Sequence, residues 1–169
     1  MNTWLKLADR LGLDATFIDH LQREADATAE PQRVIDWFHD FFQQPLWHQK
    51  TCQHLRSWLL PPQQKKGLIT LLGNSPFLAH LIKKWPDFLD EDPGFDGYAI
   101  PTPTELTQEI LTIASWDDAA SFLRKSKQKA YFFIGFKDLV GMASLEQTVH
   151  TLSDLAQSSL EAGYRWLDR

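Results

Sequence analysis

Residues 138–167 read DLVGMASLEQTVHTLSDLAQSSLEAGYRWL, and this stretch decides the fold class. Ser144-Leu145-Glu146-Gln147 has the spacing of a capping box: the serine hydroxyl accepts from a first-turn amide while the glutamine reaches back to the cap. Leu145, Val149, Leu152, Ala156, Ser159, Gly163 and Leu167 then trace one helical stripe. Small residues toward its end predict a close approach by a neighbouring helix. Upstream, residues 117–141 read as one long helix. Trp116, Phe122, Leu123, Tyr131, Phe132, Phe133, Ile134 and Phe136 crowd around Gly135, and a segment apolar on most sides belongs inside a bundle.

Thr102-Pro103-Thr104-Glu105 joins a capping threonine, a first-turn proline and a glutamate placed to bond back, which predicts a helix through Ile113. Ser75-Pro76 is a second start signal, followed by Phe77, Leu78, Leu81 and Ile82 on one side. Pro86 ends or kinks that helix and leaves Asp87 to Asp90 as a short turn. From Pro31, the residues Val34, Ile35, Phe38, Phe41 and Phe42 form a continuous apolar stripe. A helix from about Leu46 to Leu60 aligns Trp47, Thr51, Leu55, Trp58 and Leu59 before Pro61-Pro62. No strand-period alternation runs for more than a few residues, so the expected class is all-α. The architecture expected is an antiparallel helical bundle with long C-terminal helices and a smaller N-terminal helical part. Residues 1–74 are assigned to that N-terminal part and 75–169 to the C-terminal bundle, with one continuous domain as the alternative. The turn-rich loop EDPGFDGYAIPTP, from Glu91 to Pro103, is the natural break between an N-terminal and a C-terminal helical half.

The 169 residues suffice for a substantial core, and 43% hydrophobic with 23% charged residues is the composition of a globular chain. A formal net charge of −5 offers no general attraction to phosphate backbones. A nucleic-acid role would rest on the local run Arg124-Lys125-Ser126-Lys127-Gln128-Lys129, read here as a solvated helix face and a candidate partner surface together with Arg165. Cys52 is the single cysteine, which excludes an internal disulfide and fits a reducing compartment. Charges interrupt the N-terminal apolar residues, and no run approaches bilayer length. A cytoplasmic protein without membrane partners is expected.

Chemistry-bearing residues are sparse. Gly73 and Ser75 precede Asp90-Glu91-Asp92 in loose imitation of a phosphate turn followed by a metal-binding pair. An asparagine separates the first two, however, and the acidic trio lies before Pro93-Gly94. A solvated acidic loop is the expectation. His48 and Cys52 share a helical face that His54 does not join, an incomplete ligand set, so no metal site is assigned. No catalytic triad or cofactor site is expected either. The seven tryptophans read as core and helix-contact residues, with Trp4, Trp37 and Trp116 off the main stripes as markers of an interaction patch.

Two segments together resemble the helical region just ahead of the catalytic module in the glutamine synthetase adenylyltransferase family. One is Asn74-Ser75-Pro76-Phe77-Leu78 with Trp85-Pro86-Asp87-Phe88-Leu89. The other begins with Leu123-Arg124-Lys125-Ser126-Lys127 and continues through Lys137-Asp138-Leu139, Gly141, Ser144, Leu145, Leu152, Leu155-Ala156 and Arg165-Trp166-Leu167. The resemblance covers roughly Leu68 to Leu167. Ser126, Ala130 and Phe133 depart from a phenylalanine, a glutamate and an arginine of the family pattern. Exchanging two charges for apolar side chains predicts packed core where the family has a polar surface.

The resemblance implies a parent that transfers AMP from ATP to a tyrosine of glutamine synthetase, or removes it by phosphorolysis, with Mg²⁺ and a PII-type regulator. In that family a Gly-Ser turn and an Asp-x-Asp pair follow this region. The present chain lacks them and is expected to be inactive by itself, scaffolding a downstream nucleotidyltransferase domain. The alternatives are a free-standing helical interaction module descended from such a region and, behind it, a small nucleic-acid-binding helical domain.

Overall fold

The computed structural model describes residues 3–43, 49–90 and 101–169, and every regular element among them is helical. The order is α1 (Thr3–Leu11), α2 (Ala15–Asp26), α3 (Pro31–Phe41), α4 (Gln49–Leu59), α5 (Pro62–Asn74) and α6 (Pro76–Lys84). A 3-10 turn (Pro86–Asp90) follows, then α7 (Pro103–Leu111), α8 (Trp116–Leu139) and α9 (Leu145–Leu167). The all-α expectation holds.

Packing divides the chain into two units, Met1–Gly97 and Tyr98–Arg169. The division lies in the loop singled out for its turn-formers. A cut between 74 and 75 would separate α6 and the 3-10 turn from α5 and α4, the helices they pack against.

In the first unit α5 is the central helix, touching α2, α3, α4 and α6. Its Leu68, Ile69, Leu71 and Leu72 are all buried, as a helix surrounded on several sides requires. Around it, α1 contributes Trp4, Leu7 and Leu11, α2 contributes Ile18, Leu21 and Ala25, and α4 contributes Leu55, Trp58 and Leu59. Trp47 and the side chain of Thr51, both assigned to the α4 stripe, lie outside the described residues.

Two expectations for this unit are corrected. Trp4 and Trp37 are buried core residues, not surface markers. On α3 the buried set is Val34, Trp37, Phe38 and Phe41, an i, i+3, i+4, i+7 arc that includes the tryptophan. Trp37 meets Phe38 edge-on at 5.3 Å, and its Nε1 donates to the Ala79 carbonyl at 3.0 Å. Phe77 is 53% exposed, because the buried arc of α6 is Leu78, Ala79, Leu81 and Ile82 and position 77 falls beyond its edge.

In the second unit α9 packs on both α7 and α8. Leu106 and Ile110 of α7, Ala119 of α8, and Ala162 and Trp166 of α9 form one core cluster, with Ile113, Phe122 and Leu123 against it. Ala130 and Ile134 of α8 with Leu155 of α9 form another. The turn between α8 and α9 is set by Gly141 at φ +73°, where Gly141 N–H donates to Asp138 O at 3.1 Å and Met142 N–H to Lys137 O at 2.8 Å. That pair of bonds is a Schellman ending, and a side chain at a left-handed residue would strain it.

The predicted stripe of α9 is also corrected. Leu155, Ser158, Ala162 and Trp166 face inward, whereas Leu145, Val149, Leu152, Ala156 and Leu167 are exposed. Close helix approach is provided by Ser158 and Ala162 on the adjacent stripe, and by Gly163 of the predicted one, where a Cβ would stand 3.7 Å from Leu123 Cδ1. Trp116 remains 48% exposed, 5.2 Å from the Trp166 ring.

Candidate partner surface and the Gly73–Asp90 segment

Four consecutive residues, Gly73 to Pro76, each have a structural task. A Cβ on Gly73 would stand 2.2 Å from Thr28 Oγ1, far inside contact, so only glycine lets α5 lie this close to the end of α2. The Gly73 carbonyl accepts from Arg33 Nη1 at 3.1 Å, and Arg33 is held in turn by Glu30 at 2.8 Å. Asn74 Oδ1 accepts the Ala29 amide at 2.9 Å, tying the α2–α3 turn to the end of α5. Ser75 Oγ accepts the Leu78 amide at 3.3 Å as the cap of α6, with Pro76 at the first helical position.

The segment closes on α4. Trp58 Nε1 donates to the Leu89 carbonyl at 3.0 Å, and His54 Nδ1 pairs with Asp90 Oδ1. Lys83 Nζ is paired with Asp40 Oδ2 across α6 and α3. Gly73 and Ser75 are thereby occupied with packing and capping, and Asp90 with a histidine. Glu91 and Asp92 lie outside the described residues, as does His48. Among the described residues no three His, Cys, Asp or Glu side chains converge to hold a metal ion. Cys52 is half-buried, and burial pushes its thiol up from the usual range while the Arg10 charge pulls it partly back.

The second unit positions the basic residues. α8 begins at Ser115, whose Oγ accepts the Asp118 amide at 3.1 Å. The basic run is not gathered into one patch. Lys125 and Lys129, one turn apart, lie on the side of α8 that carries Phe132, Phe133 and Phe136, while Arg124 and Lys127 lie on another. Lys127 Nζ stands 6.0 Å from the Tyr131 ring centroid, and Arg165 Nη2 lies 3.8 Å from Glu161. Arg124 is exposed.

Two of the three departures from the family pattern are core residues. Ala130 is fully buried against Ile134 and Leu155, and Phe133 is buried with its ring 5.0 Å from Phe132. Ser126 is half-buried.

Sequence reasoning missed two features. Trp166 Nε1 donates to the Ile113 carbonyl at 2.9 Å, and Arg169 Nη1 and Nη2 reach the Ile113 and Ala114 carbonyls at 2.7 and 2.8 Å. The Arg169 guanidinium also lies 3.9 Å over the Trp166 ring, so the end of α9 is bonded to the connection between α7 and α8. In addition, an open cleft of about 250 Å³ lies between the start of α7 and the middle of α9, lined by Thr102, Thr151, Asp154, Gln157 and Ser158 with two prolines. Neither has a local motif, since both depend on helices distant in sequence.

These features define a helical protein whose recognisable motifs act in capping and packing. The chain belongs to the glutamate-ammonia ligase adenylyltransferase family, whose model matches residues 65–169, more than half of its length. It is 33% identical over 106 residues to the bifunctional glutamine synthetase adenylyltransferase/adenylyl-removing enzyme of Rhodopseudomonas palustris (strain HaA2). That match takes in 56% of this chain and 10% of the relative, so the chain spans about a tenth of the curated relative's length. No solved structure matches the chain. No helix among the described residues is long and apolar enough to cross a membrane.

Proposed function

We propose that this chain is a non-catalytic helical region of a glutamine synthetase adenylyltransferase-like protein, serving to scaffold a nucleotidyltransferase module in the control of nitrogen assimilation. The observation that supports this reading most is the use of Gly73, Asn74 and Ser75. All three stand within the family match and all three are committed to holding helices together. Contacts of this kind, which join α2, α3, α5 and α6, are what a scaffold requires. ATP, Mg²⁺, glutamine synthetase and a PII-type regulator are then requirements of the parent activity, met by other parts of such a protein. Arg124, Lys127 and Arg165 are the candidate contacts to the module.

The test uses the Rhodopseudomonas relative. Deleting its segment that matches this chain should abolish or destabilise AMP transfer, and a chimera carrying residues 65–169 in its place should restore it. Full activity of the deletion variant would contradict a scaffolding role.

A second reading, a free-standing interaction module, is favoured by Ala130 and Phe133, whose burial replaces two charges of the family pattern with core. Under that reading the chimera folds but does not restore transfer.

A further inference from the structure

The outward face of α9 carries Leu145, Val149, Leu152, Leu160, Tyr164 and Leu167, half of the large hydrophobic side chains that are exposed among the described residues. Leu145, Leu160 and Leu167 are 77%, 75% and 67% exposed. Isolated exposed leucines are ordinary, but a contiguous row of them along one helix marks an interface. Leu145, Ala156 and Leu167 recur every eleven residues, about 3.67 per turn, so the row runs nearly straight along the helix.

The row reads almost the same in both directions from Ala156. Leu152 and Leu160 lie four residues to either side, and Leu145 and Leu167 eleven to either side. Val149 lies seven before it and Tyr164 eight after it. Two copies of α9 laid antiparallel, with a two-fold axis at Ala156, would set Leu152 against Leu160 and Leu145 against Leu167. Val149 would pack beside the Tyr164 ring. At the axis the facing residues are both alanine, which lets the helices come close. An isologous interface demands a surface complementary to itself, and this row, with leucine facing leucine at both offsets, meets that demand.

Charge does not oppose the pairing. Asp154, Glu161 and Arg165 lie off the row, and Arg165 is already paired with Glu161 at 3.8 Å. Six large side chains exposed by about three-fifths on average form an apolar strip along the length of α9, comparable to the roughly 600 Å² per copy at which specific interfaces begin. Doubled, this is near the lower edge of specific interfaces, about 1,200 Å² in total. We infer that α9 pairs antiparallel with α9 of a second copy of this chain, through the face centred on Ala156. The inference is independent of the scaffolding reading, since it rests on α9 alone.

Sedimentation equilibrium of the 169-residue chain, up to about 100 µM, should show a dimer of micromolar affinity. Leu160→Asp should weaken association at least tenfold, with helicity unchanged and, at concentrations low enough that both proteins are monomeric, an unchanged melting temperature, because Leu160 is already exposed. In a Cys52→Ser background, Ala156→Cys should form a disulfide-linked dimer with itself. Leu145→Cys should not, because its copy would lie about 33 Å away at 1.5 Å per residue. It should instead link to Leu167→Cys when the two variants are mixed. A monomer at all concentrations, which would leave the face to a different protein, overturns the inference. So does a dimer indifferent to Leu160→Asp, or self-linking by Leu145→Cys as readily as by Ala156→Cys, the mark of a parallel pair.

Discussion

At Gly73 two residue-scale effects oppose each other, and their sizes decide the outcome. Alanine is the better helix former by up to about 1 kcal/mol, but its methyl would meet Thr28 Oγ1, Cβ and Cγ2, all within 2.7 Å. Overpacking of this kind costs about 1–3 kcal/mol, so Gly73→Ala should lower stability in urea or thermal unfolding. In a Thr28→Gly background, which removes all three atoms, the same change should be neutral or stabilising, and equal losses in both backgrounds would refute the contact. Cys52 gives a second prediction. Its raised thiol pKa leaves less thiolate at neutral pH, so iodoacetamide should react more slowly than with a free thiol and its rate should rise at higher pH than usual. Raised by burial, the thiol also contributes stability below its ordinary value of 9.0 that is lost as pH climbs through the folded value. Residue roles were only partly legible. Ser75 as a cap follows from its neighbour Pro76, but Gly73 looks like any loop glycine until Thr28 is placed beside it, a contact 45 residues apart in the chain.

Helix starts were the most legible elements, because capping is local chemistry. Both predicted boxes are present: Thr102 Oγ1 accepts the Glu105 amide at 3.2 Å while Glu105 Oε2 accepts the Thr102 amide at 2.8 Å, and Ser144 and Gln147 repeat the exchange. Thr102→Ala should cost about 1 kcal/mol, read as a fall in the unfolding midpoint. The bonds from Thr102 hold the Glu105 carboxyl below its ordinary 4.5. A lowered carboxyl pKa gives stability that is present above the ordinary value and lost as pH falls through the folded one. The start of α7 should therefore fray in acid below about 4.5, seen in amide exchange, and Glu105→Gln should flatten that dependence. Helix faces were less legible than helix starts. α9 carries two apolar stripes, and the one with larger side chains is not the one turned inward. Ser158 and Ala162 are poor hydrophobes but good spacers, so their inward position shows only once α7 is set against them. α5 was obscured for a similar reason, since its glycines and prolines resemble loop punctuation when read without the helices around them.

For the whole molecule, the class was readable from helical periodicity, and the family from the resemblance of two segments, one around Ser75 and Pro86 and one from Leu123 to Leu167. The division into Met1–Gly97 and Tyr98–Arg169 followed the turn-rich loop. What one chain cannot announce is a role carried out for a neighbouring module, because scaffolding leaves no reactive group to recognise. Ala130 and Phe133, the two apolar departures from the family pattern, are buried without altering helix periodicity. The proposed scaffold has a direct consequence for nucleotide chemistry. Purified chain incubated with glutamine synthetase, Mg²⁺ and α-³²P-labelled ATP should leave the synthetase unlabelled, at the level of a no-protein control. Incorporation of AMP into a synthetase tyrosine, growing in proportion to the amount of this chain, would contradict it.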